Sequence, residues 1–261
     1  THLNWTTENL ICLPMKGSSG ESFYDQPDVF DRYVQHRTKI DNPNQVIEAP
    51  IIVAMIGDPK GKDVLDIGCG YGEMARYLVK NKVASYLGID PSSRMIEHAR
   101  QQLDHPLVRF QSGQAESMSL ESNRYDLVIA RLVFHYVENL LPVFEQVYDS
   151  LRPDGIFIFS VEHPVMTALM DKAKAGSKKD NWRVGAYFKE GPRMHHWMGS
   201  VVTKYHKTIE EYFTILRQSG FTIQELREGR PERQHFSQEK EFNRRLDLPR
   251  YLILKASKPA K

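Results

Sequence analysis

An acidic residue followed by three alternating glycines is the part of this sequence best suited to chemistry. Asp66 ends a run of apolar residues, and Gly68, Gly70 and Gly72 follow it at every second position. A helical pattern begins directly afterwards, so the stretch predicts a strand, a tight turn and the first turn of a helix. Because glycine has no Cβ, the backbone of such a turn can lie close to a ligand.

A second acid, Asp90, ends the next apolar run and restricts the choice of ligand. A carboxylate at the tip of the second strand can accept hydrogen bonds from both hydroxyls of a ribose. A dinucleotide is disfavoured because Glu73 replaces the third glycine of G-x-G-x-x-G and would repel a pyrophosphate. Asp66 favours a positive amino group instead. These residues indicate a ligand with a ribose, an ammonium group and no phosphate, and S-adenosylmethionine is such a ligand.

The pattern D-x-G-x-G-x-G with a following acid resembles the class I S-adenosylmethionine-dependent methyltransferases. The resemblance implies a Rossmann-like α/β fold, in which a seven-stranded, mostly parallel sheet has helices on both faces and a lid insertion. It also implies that S-adenosylmethionine binds at the carboxyl ends of the first strands and leaves as S-adenosylhomocysteine. The cofactor-binding residues that it implies are Tyr24, Tyr33, Arg37, Asp66, Gly68, Cys69, Gly70, Asp90, Pro91, Met95, Ala115, Glu116, Ala130 and Arg131.

Two histidines are candidates for catalysis. Methyl transfer is an in-line displacement, and O- or N-methylation also requires removal of a proton. His163 follows the fifth predicted strand and His135 follows the fourth, so we expect both near the transferred methyl group. Each is either a general base or substrate contact, or a structural histidine of the core. No spacing of His, Cys, Asp and Glu indicates a metal site.

Further segments resemble a branch of bacterial small-molecule methyltransferases: residues 159–164, residues 190–193 with Trp197, and residues 206–208. Between residues 165 and 205 the strand–helix alternation stops and aromatic residues accumulate. We interpret this segment as a lid that holds a small aromatic or heterocyclic acceptor, methylated at oxygen or nitrogen. The substrate-contacting candidates are Glu162, Tyr187, Arg193, His196 and Trp197.

Composition limits the alternatives. The 35 Lys and Arg residues nearly balance the 33 Asp and Glu residues, which argues against a nucleic-acid (tRNA-type) methyltransferase. A cofactor-binding protein without transfer activity is the other alternative. Two cysteines provide no disulfide framework, and no apolar run has the length of a membrane span, so we expect a cytoplasmic protein. The sequence does not indicate an oligomeric state.

Apolar runs alternate with helical patterns between residues 63 and 160, which predicts a parallel sheet covered on both faces. A turn is predicted at residues 152–155, before the fifth strand. We divide the chain into four parts. They are a helical cap over the cofactor (1–57), the cofactor-binding α/β core (58–164), the lid insertion (165–207) and a C-terminal completion of the core (208–261).

Overall fold

A computed structural model describes residues 20–170 and 183–260 of the protein, in which helices and strands alternate. The helices are α1 (Gly20–Asp25), α2 (Pro27–Arg37), α3 (Ala49–Ile56), α4 (Glu73–Lys80), α5 (Ser93–Gln102), α6 (Leu141–Ser150), α7 (Pro164–Thr167), α8 (Ile209–Gln218) and α9 (Glu239–Asn243). A π-helical turn (Asn44–Glu48) precedes α3, and short 3-10 turns lie at Phe134–Tyr136 and Arg233–His235. None of the described helices has the length and apolar character that a membrane crossing requires.

The strands are β1 (Asp63–Ile67), β2 (Ser85–Asp90), β3 (Val108–Ser112), β4 (Tyr125–Arg131), β5 (Leu151–Glu162), β6 (Leu169–Met170), β7 (Arg183–Val184), β8 (Gly191–Trp197), β9 (Ser200–His206), β10 (Thr222–Arg227) and β11 (Tyr251–Ser257). Residues 1–19 of the expected cap, and residues 171–182 of the expected lid, lie outside the described residues.

The described part of the chain forms a seven-stranded sheet in the order β10-β11-β5-β4-β1-β2-β3. Strand β11 is antiparallel to both of its neighbours, and the other pairs are parallel. This confirms the predicted Rossmann-like sheet. The direction of the strand order reverses at β1 and β4, where open α/β sheets have a crevice at the carboxyl ends of their strands.

Apolar side chains are buried on both faces of this sheet. On β4, Leu127 and Ile129 pack in a core with residues of α3, α4 and α5. Their neighbours Val128 and Ala130 pack in a second core with residues of α6 and α8. Because successive residues of a strand point to opposite faces, a strand covered on both sides needs a continuous apolar run. The helices therefore cover both faces, as predicted.

The hairpin of β8 and β9 occupies the segment in which the sequence has no clear period. A third apolar cluster joins it to the N-terminal helices, with Phe23, Val29 and Val202 at its centre. The Arg32 guanidinium also donates a hydrogen bond of 3.1 Å to the Met198 carbonyl, in the turn of the hairpin. The hairpin and the first two helices thus pack against each other.

The turn predicted at residues 152–155 is instead an irregular part of β5. Asp154 is in the left-handed region (φ 61°), yet its N–H donates to the Lys258 carbonyl at 2.9 Å. The Lys258 N–H in turn donates to the Gly155 carbonyl at 3.0 Å. Pairing with the chain end keeps this segment in the sheet, and the local sequence carries no sign of it.

Candidate active site

A cavity of about 790 Å³ lies at the carboxyl ends of β1, β2 and β4. The structure brings nearly all the predicted cofactor-binding residues to its wall. Those that line it are Tyr24, Tyr33, Arg37, Asp66, Gly68, Cys69, Gly70, Asp90, Pro91, Met95, Ala115, Glu116 and Arg131. Of the predicted catalytic and substrate residues, His135, Glu162 and Trp197 line the same cavity.

Gly68 and Gly70, in the turn after β1, differ in the space around them. Gly68 has a φ of 70°, and a Cβ on it would lie 2.0 Å from Cγ2 of Val133, so no side chain fits. Gly70 has a φ of 54°, but a Cβ on it would meet no atom within 4 Å. Gly68 therefore permits close packing of the turn, whereas Gly70 leaves its backbone open to a ligand in the cavity.

Asp90 is held by backbone donors from two directions. One carboxylate oxygen accepts from the Gly70 N–H at 2.9 Å, and the other accepts from the Ser92 N–H at 3.0 Å. Burial nevertheless raises the pKa of Asp90 to about 6, against the opposing effect of these two hydrogen bonds. The carboxylate thus links the glycine turn to the start of α5.

Asp66 has one satisfied and one unsatisfied oxygen. The Tyr86 hydroxyl donates to Oδ2 at 2.7 Å, whereas Oδ1 is buried without a hydrogen-bond partner among the described residues. Burial raises the pKa of Asp66 to about 7, although Tyr86 and Arg131 act in the opposite direction. A buried carboxylate oxygen without a partner is costly, and a positive amino group in the cavity is the kind of partner that fits.

Arg37 is paired within the protein. Its guanidinium donates to one oxygen of Glu73, and the Gln45 amide donates to the other. Burial would raise the pKa of Glu73, but Arg37 and Arg131 hold it below its usual value. Glu73 therefore stays charged at the N-terminus of α4, and in this structure it is the ion-pair partner of Arg37.

Arg131 is bound by a second carboxylate, Glu48, whose side chain is fully buried. Its Nε donates to both oxygens of Glu48 at 3.1 Å, and its Nη2 donates to one of them at 2.5 Å. The Ser160 hydroxyl also donates to Glu48 at 2.7 Å. This network ties the π-helical turn before α3 to the ends of β4 and β5.

Aromatic side chains form another part of the cavity wall. Tyr24 lies 5.1 Å from Tyr33 between ring centroids, and its hydroxyl is 3.1 Å from that of Tyr136. The Trp197 ring lies 5.5 Å from the His36 ring. The α1–α2 region, the turn after β4 and the β8–β9 hairpin thus supply one aromatic surface.

Lys204 is a lining residue that the sequence analysis missed. It is only 3% exposed, and its Nζ donates to Oε1 of Glu162 at 2.6 Å. Burial would raise the pKa of Glu162, but Lys204 and neighbouring histidines hold it well below its usual range. The two-residue period of a strand was the available signal, because it puts Lys204 on the same buried face of β9 as Val202 and His206.

His135 lines the cavity as predicted, but in a state that does not suit a proton acceptor. Its Nδ1 accepts from the Glu162 N–H at 3.3 Å, so the neutral ring carries its proton on Nε2. Burial lowers the pKa of His135 to about 3, more than the nearby Glu162 carboxylate raises it. At neutral pH the side chain is therefore an uncharged donor.

The expectation that His163 borders the acceptor is not met, since it does not line the cavity. The chain turns at Pro164 into α7, and His163 is the N-cap: its Nδ1 accepts from the Val165 N–H at 3.1 Å. Its Nε2 lies 3.1 Å from Oε1 of Glu228. Both ring nitrogens are used for structure, which corresponds to the alternative of a structural histidine.

Four other predicted residues also lie outside the cavity wall. Ala130 is buried in the core on one face of the sheet, because the strand alternation turns the next residue, Arg131, to the site. The Tyr187 carbonyl lies 2.8 Å from Nε2 of His206, and the rings of the two residues are also in contact. Arg193 of β8 donates to the carbonyls of Pro192 and Ala186, and His196 is exposed on the same strand. Among the residues that the structure describes, the expected lid contributes Met166, Trp197 and Lys204 to the wall.

The wall also contains basic residues that no local sequence pattern indicates. They come from the end of α2, the turn after it and the segment before β11: His36, Lys39, Arg244, Arg245 and Arg250. These segments are some two hundred residues apart in sequence, and only the fold brings them together.

Solved structures of similar sequence have the same fold over nearly their whole length. A protein from Listeria monocytogenes, assigned to the S-adenosylmethionine-dependent methyltransferases, is 32% identical, with a TM-score of 0.74. The match covers 81% of this chain and 96% of that one. An S-adenosylmethionine-dependent methyltransferase from Mesorhizobium loti is 28% identical with the same TM-score, over 85% of this chain and 99% of that one.

Sequence comparison locates the similarity in the core of the sheet. Residues 65–159 match the family described as Methyltransferase domain. A malonyl-[acyl-carrier protein] O-methyltransferase from Priestia megaterium is 34% identical over 98 residues, which are 37% of this chain and 35% of that protein. The matched family segment contains the glycine turn, Asp90 and His135, which line the cavity.

Proposed function

The chain belongs to the class I S-adenosylmethionine-dependent methyltransferases, and from this we propose that its acceptor is a small aromatic or heterocyclic metabolite, methylated at oxygen or nitrogen. The observation that carries the proposal is the cavity of about 790 Å³, whose wall contains the glycine turn, both buried acids and several aromatic side chains. Small-molecule sites have volumes of this order, with apolar walls and a few polar groups. Tyr24, Tyr33, Tyr136 and Trp197 provide flat surfaces for a ring.

We propose a division of roles among the buried acids. S-adenosylmethionine supplies the methyl group, on a sulfonium that needs no further activation. Asp90, fixed by two backbone N–H groups, is placed to accept from ribose hydroxyls, and Asp66 to bind the ammonium group through Oδ1. Arg37 is held by Glu73 and Arg131 by Glu48. We therefore propose an indirect role for both arginines, through these carboxylates.

Cofactor affinity is expected to depend on pH through Asp66. A carboxyl with a pKa of about 7 is largely protonated at pH 6 and largely ionised at pH 8. Only the ionised form attracts an ammonium group, so the affinity for S-adenosylhomocysteine should fall about tenfold from pH 8 to pH 6. Titration calorimetry at several pH values measures this.

The matched control is Asp66→Asn, which keeps the shape of the side chain and cannot ionise. Its affinity should be low throughout and lack the step near pH 7, while the step of Asp90, with a pKa of about 6, remains. An unchanged pH profile in Asp66→Asn would show that another group binds the ammonium.

His135 is proposed to orient the acceptor as a neutral donor through Nε2–H. With a pKa of about 3 it does not titrate between pH 5 and pH 9, so kcat should show no histidine step in that range. His135→Gln should lower kcat/KM about tenfold, mainly through KM, because a hydrogen bond to the acceptor is lost.

His163→Gln is the comparison, since His163 caps α7 outside the cavity. It should keep kcat within about twofold of the wild type. A fall in kcat below pH 6.5 that disappears in His135→Gln would establish general-base catalysis by His135 instead.

The direct test of the proposal is transfer of a labelled methyl group. The protein is incubated with S-adenosylmethionine labelled in its methyl group and a panel of small aromatic and heterocyclic alcohols, acids and amines. Products are identified by mass spectrometry, and Asp90→Ala serves as the variant with impaired cofactor binding. Labelling of small acceptors by the wild type is the expected result.

A parallel incubation with total tRNA and with acyl-carrier protein tests the other acceptor classes. The formal charge of +2 gives little support for tRNA, and one similar protein is named for a malonyl group on a carrier protein. Labelling of either macromolecule, with none of the small acceptors labelled, would overturn the proposal.

We propose that the reaction takes place in the cytoplasm, and the sequence supports this with its two cysteines, too few for a disulfide framework.

A further inference from the structure

One part of the cavity wall is strongly basic. His36 and Lys39 come from the end of α2 and the turn after it, while Arg244, Arg245 and Arg250 come from the segment between α9 and β11. We call these five residues the basic wall. None of them belongs to β1 or β2, the strands that carry Asp66 and Asp90.

Two acidic residues of the cavity wall, Asp41 and Glu241, offset only part of this charge. The Asp41 carboxylate accepts hydrogen bonds from the Ser237 N–H at 2.8 Å, the Ser237 hydroxyl at 2.7 Å and the Gln238 N–H at 3.3 Å. Glu241 is shared by two arginines, with Arg244 at 3.4 Å and Arg245 at 3.3 Å.

Within the described part of the chain, neither Lys39 nor Arg250 forms an ion pair. Burial and the neighbouring cations lower the pKa of His36, so the positive charge comes from Lys39 and the three arginines, against two carboxylates. The local excess of positive charge has to be balanced by solvent or by an anion.

Arg245 gives an independent sign of an absent partner. Its side chain is only 9% exposed, and its Nε is buried without an acceptor among the described residues. Burial, followed by repulsion from Arg250 and Arg244, lowers the pKa of Arg245 to about 10. A buried guanidinium donor beside like charges is costly unless an anion accepts from it.

The basic wall also adjoins the carboxyl end of β5. Arg250 precedes Tyr251, which is the register partner of Glu162 at the end of β5, and the Arg250 carbonyl accepts from the His163 N–H at 2.9 Å. Tyr251 lines the cavity, and its hydroxyl donates to Asn44 at 2.6 Å. The His36 ring of the basic wall lies 5.5 Å from the Trp197 ring, so an anionic group held here would lie beside the aromatic surface.

Building on the proposed transfer to a small acceptor, we propose that the basic wall binds a carboxylate or phosphate group of that acceptor. Arginine is suited to this task because its planar guanidinium donates two parallel hydrogen bonds to either group. Anchoring the anionic end fixes the orientation of the ring against Tyr24, Tyr136 and Trp197, and thus the position of the atom to be methylated.

The test measures anion binding without turnover. In protein saturated with S-adenosylhomocysteine, calorimetry determines the Kd of phenyl phosphate and benzoate and of their uncharged counterparts, phenol and benzamide. The charged probes should bind at least about tenfold more tightly. Arg250→Gln, or Lys39→Gln if the first variant does not fold, should weaken phenyl phosphate binding about tenfold while the affinity for S-adenosylhomocysteine is retained.

Arg217→Gln is the matched control, since Arg217 is exposed at the end of α8 and does not line the cavity. It should bind phenyl phosphate like the wild type. Equal affinity for charged and uncharged probes, or an equal loss in Arg217→Gln, would overturn the proposal. So would competition between phenyl phosphate and S-adenosylhomocysteine, because the wall would then hold the cofactor carboxylate.

Binding of a short single-stranded RNA tests whether the phosphate group bound by the basic wall belongs to a nucleic acid instead. If it binds more tightly than phenyl phosphate and Arg250→Gln removes that binding, the wall serves a nucleic acid and the proposal fails. Since the binding assay needs no methyl transfer, failure of the anion site and failure of transfer to small acceptors are read from different experiments.

Discussion

Replacing Arg131 by methionine is expected to lower the free energy of unfolding by about 3–5 kcal/mol. Glu48 has no exposed side-chain surface, and Arg131 makes three of its hydrogen bonds. Without Arg131, the Ser160 hydroxyl is the one donor left to this carboxylate among the residues that the structure describes. A buried charge without its counterion accounts for the size of the loss. Urea unfolding of the pure variants measures it.

Two comparisons isolate the buried pair. The double variant with Glu48→Met and Arg131→Met removes both charges, so it should be more stable than Arg131→Met alone. Arg124→Met breaks the partly exposed pair with Asp63, which also has Arg152 as a partner, and should cost no more than about 1 kcal/mol. Equal losses in the single and double Arg131 variants would show that the effect is not due to an uncompensated charge.

Replacing Asp90 by alanine is expected to weaken the binding of S-adenosylmethionine by about 2–3 kcal/mol, or 30- to 150-fold. The variant loses the proposed acceptor for the ribose hydroxyls. It also loses the contacts that hold the Gly70 and Ser92 N–H groups, so the glycine turn becomes less well ordered. Calorimetry with S-adenosylmethionine measures the change.

Asp149→Ala is the control for Asp90, because Asp149 is exposed on α6 and lies outside the cavity. It should bind the cofactor with wild-type affinity. An unchanged affinity in Asp90→Ala would mean that the ribose is held by other residues, whereas an equal loss in both variants would indicate a general effect of charge.

The first two strands show what the local sequence can specify. The two strands that the apolar runs before Asp66 and Asp90 predict are β1 and β2 of the structure, residues 63–67 and 85–90. Strands buried on both faces need continuous apolar runs, and the acids and glycines at their ends interrupt those runs sharply. The cofactor and the family follow from these same residues, since the glycine turn and Asp90 are close together once two adjacent strands pair.

The histidines show where local reasoning was insufficient. His135 and His163 both follow a strand, and the sequence treats them alike. In the structure His135 lines the cavity, while Pro164 starts a new helix and turns His163 into its cap. The direction of a side chain after a strand depends on the next turn of the chain, and the protonation state of His135 depends on how deeply the surrounding elements bury it.

The sequence by itself determined the Rossmann-like sheet, the glycine turn and the cofactor, because each depends on residues within one or two adjacent elements. The tertiary structure alone decided the rest of the cavity wall. Lys204 with Glu162, Arg131 with Glu48, and Arg250 with Lys39 come from segments far apart in the chain. No local period places such side chains together, since their proximity results from the packing of the N-terminal helices, the β8–β9 hairpin and the segment before β11 at the carboxyl ends of the strands.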